Sequence, residues 1–210
     1  MVLWSILFSV GHLAIDALAS RLGIHMVSCR GGFTGTGKVF VGSDTFVELT
    51  LYKSSSSPRS LSWCWLDYSI HLESLMNISG PSIVQAYRQS LPSPNSTKTN
   101  PLIVLADSLS HRPLAISPKL GGSANGHNGV KSIIGAFGTM EFYRLRLGIG
   151  SNRTGGCVDA ADYVLAPLSS QEKEWWTGDG VDAVLKWIQQ MARDSGVSLC
   201  LSISSHSPCY

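Results

Sequence analysis

Residues 121–150, GGSANGHNGVKSIIGAFGTMEFYRLRLGIG, constrain the fold of this chain more than any other stretch. Glycines at 121, 122, 126 and 129 make the first nine residues a loop that presents Asn125, His127 and Asn128. Glycine lets a backbone approach a ligand closely and adopt positive φ. The amide side chains beside it supply both donors and acceptors. The apolar spacing that follows predicts a short helix from about Lys131 to Phe137, then a strand over Tyr143–Ile149 carrying Arg144 and Arg146. Two arginines on one short strand favour an anionic partner such as phosphate. The segment therefore predicts a polar pocket beside an anion site.

The remaining elements are arranged to support such a segment within one α/β domain. Val10–Leu22 reads as a helix with Ser9 as N-cap and Gly23 as C-cap, and Lys38–Tyr52 as a hairpin turning at Gly42–Asp44. A helix is expected over Ser79–Gln89, strands over Pro101–Ala106 and Leu114–Leu120, and a closing helix over Gly180–Arg193. Strands alternating with helices predict a mixed β-sheet flanked by helices. The chain has 210 residues, 44% apolar and only 14% charged, which excludes a disordered chain. A net charge of +2 is too small to draw nucleic acid by itself, so any RNA contact must come from a local basic patch. Lys119, Lys131, Arg144 and Arg146 form one such patch, unless they are ordinary solvated charges.

Five cysteines without metal-like spacing predict free thiols in a reducing compartment. The apolar N-terminus lacks the basic flank of a signal peptide and contains Asp16, so it is not read as a leader, and it is too short to span a bilayer.

Three further positions carry chemistry. Gly32–Lys38, GFTGTGK, matches the spacing of a phosphate-binding P-loop, but Val39 stands where the magnesium-binding hydroxyl belongs. A glycine-rich loop entering a hairpin is the preferred reading. Asp107 ends the apolar run LIVLA, where an α/β sheet places ligands. It either orients a histidine or binds a hydroxyl, or it is a loop aspartate bonded to its own backbone. Asn77 stands before a helix start, as an N-cap or as a site residue.

The string GGSANGHNGVKSI followed by FYRLRLGIG resembles the signature of bacterial-type peptidyl-tRNA hydrolases. Met76-Asn77-Ile78-Ser79-Gly80 resembles a second signature of that family, MNxSG, and Asp107 in PLIVLADSL matches a third. The resemblance covers about Ser9–Lys53 and Ser74–Trp176. It implies one domain over residues 1–193 with an insertion at 55–73, followed by a tail at 194–210. The implied reaction is hydrolysis of the ester joining a peptide to tRNA, which recycles tRNA in translation. No metal or organic cofactor and no membrane are implied. The expected protein is a monomer, mitochondrial or cytoplasmic, whose partner is peptidyl-tRNA. In the family a histidine acts as general base. Asp107 would hold it in the right tautomer, and Asn77 and Asn128 would position water and polarise the carbonyl. His127 and Asn125 would contact substrate or shape the loop, and Lys119 with Arg144 would clamp the tRNA 5′-phosphate.

Two departures stand against this pattern. The family motif RHSxGH aligns with Leu7–His12, which puts Phe8 where the base should be. The alternative function is therefore a catalytically inactive tRNA-binding homologue. His12, one helical turn from position 8, is displaced by about 5.4 Å of rise, too far to substitute. Most of the first strand and its Asn-bearing loop are expected to be missing, which would expose a sheet partner and weaken the fold. Residues 55–73 also interrupt what should be a short connection. A common cause is expected in the gene: a retained intron at Ser55–Glu73 and a first exon missing before Ser9. Sequencing the transcript tests this, and a spliced message encoding the chain as written removes the idea.

Overall fold

A computed structural model describes residues 2–5, 10–42, 45–54, 79–91, 101–150 and 167–194. A seven-stranded sheet has the order β2-β3-β4-β1-β5-β7-β6. Its strands are β1 (Val2–Ser5), β2 (Val27–Cys29), β3 (Gly32–Phe40), β4 (Phe46–Ser54), β5 (Leu102–Ser108), β6 (Ile116–Leu120) and β7 (Tyr143–Gly148). The helices are α1 (Val10–Leu22), α2 (Ser79–Ser90), α3 (Asn128–Phe137), α4 (Ser170–Thr177) and α5 (Asp179–Asp194). Strands β4, β1, β5 and β7 run parallel, and β3 and β6 flank them antiparallel. The expected mixed sheet flanked by helices is what forms, and no helix among the described residues is long and apolar enough to cross a membrane.

The apolar run of β5 is continuous because both of its faces are covered. Ile103 and Leu105 join a core with Val10, Ala14, Ile15 and Leu18 of α1, Trp176 of α4, and Val181, Val184 and Ile188 of α5. Leu102, Val104 and Ala106 face the other way, against Ile83 and Tyr87 of α2 and Val130 and Ile133 of α3. The sheet thus separates a layer of α1, α4 and α5 from a layer of α2 and α3.

The first strand is not missing. Val2–Ser5 pairs in parallel with Thr50–Lys53 on one side and Leu102–Leu105 on the other. The apolar start of the chain fills the centre of the sheet, so the expected exposed sheet partner does not arise. Residues 6–9, with Phe8, lie outside the described residues, as do 55–73, Asn77 and the 195–210 tail.

The P-loop-like string is strand β3 and not a loop. A Cβ at Gly37 would lie 2.4 Å from Ile24 Cγ1, and one at Gly35 would lie 2.7 Å from the His25 carbonyl. Its glycines let residues 24–26 cross the sheet in contact with backbone. Helix α4 was not expected, although Ser169 and Glu172 form a capping box at its start: the Glu172 backbone N–H donates to Ser169 Oγ at 3.3 Å and the Ser169 N–H donates to Glu172 Oε2 at 2.9 Å.

Helices α2 and α3 touch at the end of the MNxSG turn. The Gly80 N–H donates to Ser132 Oγ at 3.0 Å, and a Cβ on Gly80 would sit 2.1 Å from the Ser132 carbonyl oxygen. No L side chain fits that crossing. Gly80→Ala is expected to push α2 off α3 and cost about 1–3 kcal/mol, read as a lowered denaturation midpoint against Ser82→Ala as control.

Candidate active site

The parallel strands end together. Ser5 pairs with Leu105 and with Lys53, and Ser108 with Gly148, so the C-terminal ends of β4, β1, β5 and β7 share one edge of the sheet. In an open α/β sheet this is where ligands bind. Asp107, 6% exposed, lies at this edge.

His127 reaches Asp107 from the glycine loop, with Nε2 at 2.9 Å from Asp107 Oδ1. Its Nδ1 accepts from the Val130 backbone N–H at 3.3 Å, which makes His127 the N-cap of α3. Because Nδ1 accepts, the ring proton sits on Nε2 and is donated to Asp107. Both ring nitrogens are engaged. The cap also explains why α3 begins at Asn128 and not at Lys131: Ser, Thr, Asp and Asn are the familiar caps, and a capping histidine leaves no such signal in the sequence. Asn128 is exposed in the first turn of α3. Asn125 lies at the exposed loop tip with φ +48°, and its backbone N–H donates to Ser123 Oγ at 3.1 Å.

Arg144 departs from its expected place in an anion clamp. It is 4% exposed and its guanidinium is turned into the loop. Nη1 donates to the Ser123 carbonyl at 2.8 Å, and Nη2 donates to the carbonyls of Gly122, at 2.5 Å, and Gly121. Three consecutive carbonyls point inward because Gly121 and Gly122 adopt φ of +63° and +79°. Burial, and then the neighbouring Arg146, lower the Arg144 guanidinium from its usual value, but an arginine retains its charge.

Lys119 faces Arg144 across the β6–β7 ladder, and its Cε and Nζ would lie 3.0 and 3.1 Å from a Cβ on Gly122. Arg146 faces Ser117 in the next row and donates from Nη2 to Ser117 Oγ at 2.7 Å. Strand alternation puts both arginines on one face and could not choose between them. Distance from the glycine loop decides: Arg144 is taken by the loop, and Arg146 stands beyond it. Asn77 lies outside the described residues, and Lys131 is exposed on α3.

His12 lies in the first turn of α1, near the ion pair that Lys53 Nζ makes with Asp16 at 2.5 Å. Burial and then Lys53 pull its pKa down to about 4, against the opposing pull of Asp16. It is therefore uncharged at neutral pH. The unfolded chain protonates this histidine below about pH 6.5, and the folded chain only below about 4. Between those values the unfolded state binds more protons, so acid destabilises the fold. Stability is expected to fall by about 3 kcal/mol as pH drops through that window, and His12→Asn to flatten the drop, as read by urea unfolding at several pH values.

A family model for peptidyl-tRNA hydrolases matches residues 68–204, more than half of the chain. A peptidyl-tRNA hydrolase of Syntrophotalea carbinolica is 30% identical over 166 residues, covering 79% of this chain and 71% of that protein. One from Symbiobacterium thermophilum is 42% identical over 97 residues, 46% of this chain and 48% of the relative; one from Agathobacter rectalis is 36% identical over 123 residues, 56% and 61%. The chain thus spans about half to three fifths of the length of the latter two. A crystal structure of peptidyl-tRNA hydrolase from Acinetobacter baumannii superposes with a TM-score of 0.63 at 21% identity, covering 93% of this chain and 91% of that one. A complex of peptidyl-tRNA hydrolase with N-propanol superposes with a TM-score of 0.66 at 21% identity, covering 93% and 90%. At that identity the likeness concerns the fold. Family match, aligned relatives, fold and the three sequence signatures agree: the chain belongs to the peptidyl-tRNA hydrolase family.

Proposed function

We propose that this protein acts on peptidyl-tRNA, hydrolysing the ester between the peptide and the tRNA 3′ end. The observation that carries the reading is the juxtaposition, on one sheet, of buried Asp107, paired with His127, at the strand ends and the cations Lys119 and Arg146 on β6 and β7. Ester hydrolysis needs a water held against the carbonyl, a group to take its proton, and a grip on the leaving tRNA. Asn128, exposed in the first turn of α3, would receive the carbonyl where helix N–H groups point outward. Lys119 and Arg146 would hold RNA phosphate, which positions the substrate without reading its sequence. Arg144 would act by shaping the loop and not by touching phosphate.

His127 does not supply the base in this arrangement, because its Nδ1 lone pair is taken by Val130 and its Nε2 proton by Asp107. The family position for the base is occupied by Phe8, which has no titratable group. That favours a second reading, a tRNA-binding homologue without hydrolytic activity. A mitochondrial or cytoplasmic site of action and a monomeric state belong to the same proposal.

Release of the N-acetyl-aminoacyl group from charged tRNA by the purified chain, beside Phe8→His, separates the two readings. Hydrolysis by the chain as written supports the enzyme and shows that a base other than residue 8 operates. No hydrolysis with retained tRNA binding supports the inactive homologue, and rescue by Phe8→His locates the defect. Neither hydrolysis nor tRNA binding in either protein overturns both.

A further inference from the structure

The face of β7 that carries Arg144 and Arg146 continues to Gly148, and something stands on it there. A Cβ on Gly148 would lie 3.1 Å from His111 Cβ and 2.0 Å from the Arg112 carbonyl oxygen, so the absent side chain of Gly148 makes room for residues 111–112 to lie on the sheet. Ser108, the register partner of Gly148, shares this face, and its Oγ is 2.7 Å from His111 Nδ1. The backbone fixes the same residue, since the Gly150 N–H donates to the His111 carbonyl at 3.0 Å. With Nδ1 tied to Ser108, the nitrogen left to meet a ligand is Nε2.

Three basic side chains therefore occupy successive rows of one sheet face: Lys119 beside Arg144, Arg146 beside Ser117, and His111 over Gly148 beside Ser108. Each row is two residues further along a strand, a step of about 6.6 Å, which is close to the spacing of successive phosphates along one nucleic-acid strand. The rows climb towards the edge that carries Asp107. Among the described residues no carboxylate pairs with Lys119, Arg146, His111 or Arg112, whereas the ion pairs that do form lie elsewhere: Arg21 with Asp182, Lys53 with Asp16, and His127 with Asp107. Like charges side by side on a sheet are unfavourable unless an anion joins them.

Beyond Lys119 and Arg146, already assigned to phosphate in the reading above, we propose that His111 adds one further rung to a phosphate ladder, meeting the next phosphate of the same RNA strand at the row nearest the reacting end. The proposal rests on the tRNA reading above. The charged group acting on His111 from β7 is Arg146. Asp107, on β5 next to Ser108, is taken by His127, and Arg112 is the charged neighbour on His111's own loop. Burial and then Arg146 lower the His111 pKa from the ordinary imidazole value, so the free protein holds this proton less tightly. A bound phosphate favours the charged form and raises it again. RNA binding should therefore tighten as pH falls, in proportion to proton uptake by this one residue.

The test is binding of deacylated 5′-phosphorylated tRNA at about pH 6 and about pH 8, on either side of an ordinary imidazole titration. Wild type is expected to bind several-fold tighter at the lower pH, and His111→Gln to lose that gain while matching wild type at the higher pH. The salt slope at low pH should drop by about 1 in the variant. His111→Lys should bind tightly at both pH values, which a role in folding alone would not produce, and Lys119→Ala should weaken binding equally at both. If His111→Gln keeps the wild-type pH dependence, the ladder is wrong and the tRNA reading stands. If wild type ignores tRNA but binds tripolyphosphate through Arg146 and His111, the ladder stands and the tRNA reading falls. If it binds neither, both fall.

Discussion

A buried arginine holds the site loop in shape. The Arg144 guanidinium bonds to the carbonyls of Gly121, Gly122 and Ser123, so one side chain ties three successive loop residues to strand β7. A buried cation is expensive unless its hydrogen bonds are filled. Carbonyl oxygens can meet the two terminal nitrogens, Nη1 and Nη2, only if successive peptides turn the same way, which the positive φ of Gly121 and Gly122 allows. With the loop fixed, His127 is delivered to Asp107 on one side and to the first turn of α3 on the other. The cost of burying Arg144 thus sets the position of the candidate site.

That arrangement also divides labour among similar residues. Arg144 and Arg146 are two positions apart on one strand, yet the first is bonded to the loop and the second, among the described residues, to Ser117 on the neighbouring strand. His127 and His12 are held in different ways. His127 has both ring nitrogens engaged, whereas His12 is buried beside Lys53. His111 is anchored through Nδ1 to Ser108, on the sheet face that carries Arg144 and Arg146.

The layered fold was legible because its signals are local. The α1 stripe, the hairpin around Gly42 and the unbroken apolar run of β5 each follow from periodicity. The N-terminal strand was not, because a four-residue strand in the middle of a sheet is paired entirely with residues from elsewhere in the chain, Thr50–Lys53 and Leu102–Leu105. The string GFTGTGK reads as a glycine-rich loop and forms strand β3 instead for a related reason: its glycines answer to the crossing of Ile24–Met26, a contact that a short motif does not record. In the site, Asp107 and the glycine loop were visible from strand-end logic and composition. The capping role of His127 and the engagement of Arg144 by the loop depend on where the loop backbone points, which only the folded chain determines.

The central claim is that one edge of the sheet receives the acceptor end of a peptidyl-tRNA, with phosphates on the β6–β7 face and the ester at Asp107, His127 and Asn128. A crystal structure with a 5′-phosphorylated acceptor-stem mimic, its ester replaced by an amide, tests this most directly. The account predicts phosphates lying along Lys119, Arg146 and His111, and the amide carbonyl at the N-terminus of α3. A mimic bound on the α1 and α5 side of the sheet, or a phosphate bound by Arg144 with the loop carbonyls released, would contradict it.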